Sequence, residues 1–288
     1  MVRRFLNILH REFSGLHETA FLLAISSLLS QVLALFRDRL LASSFGAGIH
    51  LDIYYASFRL PDLIYVSVAS FVSVTVLIPF LIERMKGEDL NEAKKFLDSV
   101  FSIFLSFILL VSLLAFFLIP YLVALVAPGF EAEGRGELIT LTRILLLSPI
   151  LLGLSNLFGS VTQAYKKFLV YSLSPILYNF GIILGIVFFY PWLGLSGLAW
   201  GVVLGAFLHL LIQLSVVRET GFWPTFRGAR KVEEWKEIYK VAKTSLPRTL
   251  ALSFQQIASL ILVAFASFMS QGSIAIFNFS LNLQSVPL

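Results

Sequence analysis

The chain predicts an all-α, polytopic membrane protein, and three observations carry that prediction. Hydrophobic residues make up 58% of its 288 positions and charged residues only 14%, against about a quarter charged in a soluble domain. Apolar stretches long enough to cross a bilayer, about 20 residues each, recur from Ala20 onward. The connections between them alternate between basic and neutral or acidic. Cysteine is absent, which excludes disulfides and thiolate metal sites. His10, His17, His50 and His209 show no metal-ligand spacing. The net charge of +5 is spread over loops rather than gathered on one basic face, so a nucleic-acid partner is not expected.

Residues 1–17 place Phe5, Ile8, Leu9, Phe13 and Leu16 on one helical face, with Arg3, Arg4, Asn7 and Arg11 opposite. This reads as an amphipathic helix on the cytoplasmic surface. It is not a cleavable signal, because the apolar stretch that follows is too long and lacks an A-x-A-like exit. Spans are expected at 19–44, 52–82, 96–127, 138–164, 168–190 and 193–217. Together they form a first six-span lobe over 18–217. Residues 218–242 form a cytoplasmic loop with a second interfacial helix, on which Trp235, Ile238, Tyr239 and Ala242 share a face. Spans at 243–270 and 273–288 begin a second lobe within 243–288. The last span runs apolar to the final residue, so either the chain is a fragment or its partner half is a separate polypeptide.

Positive residues cluster in alternate connections. They are Arg3, Arg4 and Arg11; Arg84, Lys86, Lys94 and Lys95; Lys166 and Lys167; and Arg218, Arg227, Arg230, Lys231 and Lys236. The positive-inside rule makes these loops cytoplasmic and puts the N-terminus inside. A shift of 224 residues lays Gln31, Ala34, Ala42, Ser43 and Gly48 on Gln255, Ala258, Ala266, Ser267 and Gly272, a weak trace of internal duplication.

Charges inside the spans are the candidate functional residues, because each costs about 2.5–3.5 kcal/mol at the centre of a membrane helix. Arg37, Asp38 and Arg39 spread over about 200° of helix circumference. Either they mark the outer interface, with Arg39 snorkelling outward, or a wide watered cavity or a bend admits Arg37 and Asp38. Asp52 and Arg59 share a face in span two, and Asp52 is expected near the outer interface. Arg59 and Asp62 lie deeper, placed to pair with Asp38 and Arg37. Pro61 cannot donate to the Ser57 carbonyl, so a kink is expected there. Arg248, after Pro247, falls at the start of span seven. Asn156, Gln163, Asn179, Gln213, Gln255, Gln256, Asn278 and Asn282 read as interhelical hydrogen-bond partners. No H-E-x-x-H, P-loop, G-x-S-x-G or paired-carboxylate pattern occurs, so neither enzymatic activity nor a cofactor is expected.

Several stretches, taken in order, resemble the MurJ/MviN family of lipid II flippases. They are Phe36-Arg37-Asp38 with Phe45-Gly-Ala-Gly48, and Asp52-x-Tyr54-Tyr55-Ala-x-Phe58-Arg59-Leu-Pro61-Asp-Leu63. Ala127-Pro-Gly-Phe130, Ala164-Tyr-Lys-Lys-Phe168, Leu173 through Gly185, and Gly197-Leu-Ala-Trp-Gly201 follow. The resemblance implies a fourteen-span exporter with two six-helix lobes around a cationic cavity, of which this chain covers the first lobe and the start of the second. It also implies a substrate, an undecaprenyl-pyrophosphate-linked peptidoglycan precursor, moved from the inner to the outer leaflet of the bacterial inner membrane.

Arg37 and Asp38 match the family's Arg-Asp pair, and Asp52 a family acidic position. Three other arginines of the family's cavity are replaced here: Gln31 stands at one, Tyr65 or Val66 at the second, and about Asn282 at the third. Arg59 or Arg248 would have to substitute. The substrate-binding set expected is therefore Arg37, Asp38, Asp52, Arg59 and Arg248, with a lipid-linked precursor, membrane lipid and a C-terminal lobe as partners. The alternatives are an exporter of another lipid-linked glycan or a drug cation, and a non-transporting scaffold.

Overall fold

The computed structural model describes residue 12 and residues 15–69, 74–85, 90–228 and 232–284. The expected helix at 1–17 lies almost wholly outside them. The described chain runs α1 (Leu16–Phe45), α2 (Ile49–Ser57), α3 (Arg59–Ile64), a π-helical turn (Tyr65–Ala69), α4 (Val74–Met85), α5 (Leu90–Val126), α6 (Ala132–Leu145) and α7 (Leu147–Ala164). It continues through α8 (Phe168–Leu184), a second π-helical turn (Gly185–Phe189), α9 (Tyr190–Leu193), α10 (Leu195–Glu219), α11 (Val232–Ala266) and α12 (Ser273–Gln284).

Among the described residues, six helical stretches are long and apolar enough to cross a membrane: Leu16–Phe45, Leu90–Val126, Ala132–Ala164, Phe168–Leu193, Leu195–Glu219 and Glu234–Ala266. The chain is a multi-pass membrane protein. Large apolar side chains such as Phe107, Leu110, Leu113, Leu114 and Phe117 on α5 stay exposed, as a lipid-facing surface requires.

Two expectations need revision. The second span is not one kinked helix. It breaks at Phe58, between α2 and α3, and passes through the π-helical turn at 65–69 before α4. Pro61 lacks the N–H that would reach Ser57, and the next amide, Asp62 N–H, bonds to Phe58 O at 2.8 Å. Nor is the segment before span seven a separate interfacial helix. Val232–Ala266 is continuous, because Glu, Lys, Ala and Leu favour helix throughout and Pro247 is its only breaker.

Polar and aromatic contacts tie down the connecting segments. At the basic end, Arg84 pairs with Glu237 at 2.5 Å and Lys167 with Glu219 at 3.8 Å. Asp98 of α5 accepts both the backbone N–H and the hydroxyl of Thr225, at 2.8 and 2.6 Å. At the opposite end, Phe45 meets Tyr190 edge-on at 4.6 Å between centroids, and Gly129 N–H donates to Ser267 Oγ at 3.0 Å.

Glycines set the tightest packing. Gly181 and Gly185 on or beside α8 face Gly205 and Gly201 on α10, so the two backbones touch. A Cβ at Gly201 would lie 2.4 Å from the Gly185 Cα, where no repacking of side chains gives relief. Gly201→Leu should therefore cost at least the ~1–3 kcal/mol of an overpacked core. Thermal unfolding in detergent should show a lower midpoint or no folded protein; an unchanged midpoint would contradict the packing.

Candidate functional site

The charged residues of the first two spans meet α12. Asp52 is only 3% exposed. Its Oδ2 accepts the Gly272 N–H at 2.6 Å and its Oδ1 the Ala275 N–H at 2.8 Å. First-turn amides of a helix have no acceptor in their own helix, and a carboxylate there also suits the positive end of the helix dipole. Asp52 thus caps α12 from across the structure. It lies beside the Gly46–Gly48 connection, enclosed by protein.

One and two turns deeper, the contacts continue. Arg59, 8% exposed, donates from Nη2 to Asn278 Oδ1. Asp38, also buried, accepts the Asn282 amide on Oδ2 at 2.9 Å. Its Oδ1 takes both Nε and Nη2 of Arg37, at 2.9 and 2.8 Å. Arg37 Nη1 then donates to Asn179 Oδ1 on α8 at 3.0 Å. Asn179 in turn donates to Ser30 Oγ at 3.3 Å and Pro175 O at 3.1 Å.

The cross-pairing expected from sequence, Arg59 with Asp38 and Asp62 with Arg37, does not form. Arg37 and Asp38 pair with each other because their side chains curl toward one point on α1, and asparagines rather than opposite charges bridge the helices. Arg39 is exposed on the opposite face of α1. Arg248 is exposed on α11, outside this seam. Of the residues standing where cavity arginines were expected, Asn282 joins the seam. Tyr65 accepts from Asn156 Nδ2 at 2.7 Å.

Two polar atoms at this seam, Tyr55 Oη and Arg59 Nε, are buried without a hydrogen-bond partner among the described residues. Each such atom costs about 1–3 kcal/mol. At the same end, the structure holds a cavity of about 360 Å³ bordered by His50, Asp52, Glu131, Glu133 and Glu137. The residues missed from sequence are Asn179, Asn278 and Asn282. They read there only as generic helix-to-helix bonds.

Comparison with known proteins places this arrangement. The family described as "Lipid II flippase MurJ" matches residues 41–288. A probable lipid II flippase MurJ of Buchnera aphidicola subsp. Acyrthosiphon pisum is 28% identical over 260 residues, covering 88% of this chain and 50% of the relative. The lipid II flippase MurJ of Burkholderia cenocepacia is 27% identical over 267 residues, 91% of this chain and 52% of the relative. The chain thus spans about half the length of the curated relatives it matches. A solved structure, a lipid II flippase MurJ in an inward closed conformation, superposes with a TM-score of 0.73 at 22% identity, over 93% of this chain and 55% of that one.

Proposed function

We propose, from the premise that the chain belongs to the MurJ family of lipid II flippases, that it forms the first lobe and part of the second in a flippase. The substrate is an undecaprenyl-pyrophosphate-linked peptidoglycan precursor, carried from the inner to the outer leaflet of a bacterial inner membrane. The basic end faces the cytoplasm and Gly46–Gly48 the outside. Movement is by alternating access, two lobes rocking about a midplane site.

The observation that carries this reading is the polar seam to α12. Every bond in it lies in the half of the bundle toward Gly46–Gly48: the Asp52 cap, Arg59 to Asn278, and Asp38 to Asn282. It closes the outer half. Its buried charges are held by neutral asparagines and backbone amides, so they separate at smaller cost than a buried ion pair would. The unsatisfied Tyr55 Oη and Arg59 Nε gain partners or water when the seam opens. Arg37, Asp38 and Arg59 are the residues proposed to meet the substrate's charged group once released, a bidentate match between guanidinium and phosphate. Asp52 acts through α12, and Arg248 marks the cytoplasmic approach.

The test is complementation. The gene, expressed from its complete reading frame in cells depleted of their own lipid II flippase, should restore growth and the appearance of labelled precursor in the outer leaflet. Protein present in the membrane with neither effect would overturn the reading and favour a scaffold.

A further inference from the structure

A second cavity, of about 400 Å³, lies inside the first lobe between α1, α7, α8 and α10, and none of the proposed charge contacts uses it. That volume is in the range of small-molecule sites. Its polar lining includes Ser27, Ser30, Gln31, Asn156, Tyr171 and His209, and no lining residue carries a full charge. Leu23 and Pro175 add apolar walls.

His209 fixes what this cavity accepts. Ser155 Oγ lies 2.7 Å from His209 Nδ1 and 3.0 Å from the His209 carbonyl oxygen. A hydroxyl has one proton, and a carbonyl can only accept. Both contacts are satisfied in one arrangement: the hydroxyl donates to the carbonyl, and Nδ1–H donates to the hydroxyl. Nε2 is then a lone-pair acceptor. Ser155 uses it for no bond, His209 borders the cavity, and Nε2 is not among the enclosed unsatisfied atoms. The acceptor opens on the cavity and calls for an O–H or N–H donor.

The cavity also borders the cationic group. Asn179 bonds Arg37 Nη1 on one side and Ser30 Oγ, a cavity residue, on the other. Ser30 and Arg37 are seven residues apart on α1, about 10 Å of helix rise, and a helical side chain leans back toward the N-terminus and so shortens that gap. A neutral hydrogen-bonding pocket therefore adjoins a guanidinium across one amide.

We infer that this cavity is a subsite for the sugar attached to the diphosphate of the transported lipid, with His209 Nε2 accepting from a hydroxyl or N-acyl amide. Gln31, Ser27 and Asn156 supply the remaining donors and acceptors, and Tyr171 an aromatic edge. This rests on the proposed function and adds the part of the substrate that the first lobe reads. Gln31 stands where an arginine was expected, and a neutral residue there suits a sugar rather than a second phosphate.

Binding of two lipids to the purified protein from the complete reading frame, in nanodiscs, tests it: undecaprenyl diphosphate and undecaprenyl-diphosphate-linked N-acetylhexosamine. The wild type should prefer the glycosylated lipid by roughly tenfold, the scale of one or two well-made hydrogen bonds. His209→Leu should reduce that preference to near unity while keeping affinity for undecaprenyl diphosphate. The 209 carbonyl still accepts from Ser155 in this variant, so no donor is orphaned. Gln31→Leu should act in the same direction and serves if His209→Leu does not fold. Equal affinity of the wild type for the two lipids, or a preference untouched by both variants, would overturn the sugar subsite and leave the proposed function standing. Binding of neither lipid would overturn both.

Discussion

Asp52→Ala should loosen the closure at the Gly46–Gly48 end by about two orders of magnitude. The substitution removes the two oxygens that accept Gly272 and Ala275 N–H and leaves both amides enclosed without a partner. Each orphaned amide costs about 1–3 kcal/mol, and ~3 kcal/mol in total is about a hundredfold in the closed-to-open ratio. Asp52→Asn keeps the shape but turns an N–H toward one of the two amides, so it should fall between wild type and alanine. Labelling of a Ser267→Cys reporter with a membrane-impermeant maleimide reads the effect. Ser267 is 8% exposed beside Gly129, and the chain has no native cysteine. Faster labelling with Asp52→Ala, and a smaller gain with Asp52→Asn, is the expected order. Equal rates in all three would mean that the cap does not hold the seam.

Arg37→Ala should abolish transport and also destabilise the fold, and the two losses can be separated. Without Arg37, Asp38 keeps its charge in a buried position, held by the Asn282 amide. Breaking a buried pair on one side costs about 3–5 kcal/mol. Arg37→Ala combined with Asp38→Asn removes the orphaned charge, so the double variant should regain most of its thermal midpoint while staying inactive in complementation. Recovery of activity in the double variant would make Arg37 a mere counter-ion. Arg37→Lys should remain impaired. An ammonium can pair with Asp38 but cannot also hold Asn179 in the planar geometry of three guanidinium nitrogens. Arg39→Ala, on the exposed face, should be tolerated.

The all-helical, multi-pass class was legible from residues because it depends on local chemistry. Apolar length sets the spans. The pairing of the charges was not legible. Asp52 meets an amide 220 residues away, and no period in either helix encodes that meeting. Helical spacing put Arg59 on the face of Asp52, and both meet α12; that the partner there is α12 rather than Asp38 of α1 is set by packing. His209 matched no motif, since its role depends on which nitrogen Ser155 occupies, a relation between α7 and α10. Asn278 and Asn282 were expected to bond between helices and do so. That their partners are Arg59 and Asp38 followed only from packing.

The account's central claim is that transport requires the seam at the Gly46–Gly48 end to open. A cysteine pair tests it directly. A Cβ built at Gly272 would lie 3.1 Å from the Ala47 Cβ but only 2.4 Å from the Ala47 carbonyl oxygen, so the two segments must part slightly to admit it, which moves the Cβ atoms toward the ~3.8 Å that a disulfide spans. In Ala47→Cys/Gly272→Cys, precursor movement should be lost under oxidising conditions and return on reduction of the same sample. That comparison cancels any strain at Gly272, whose φ is +94°. Unchanged movement with the crosslink formed in full would contradict the account.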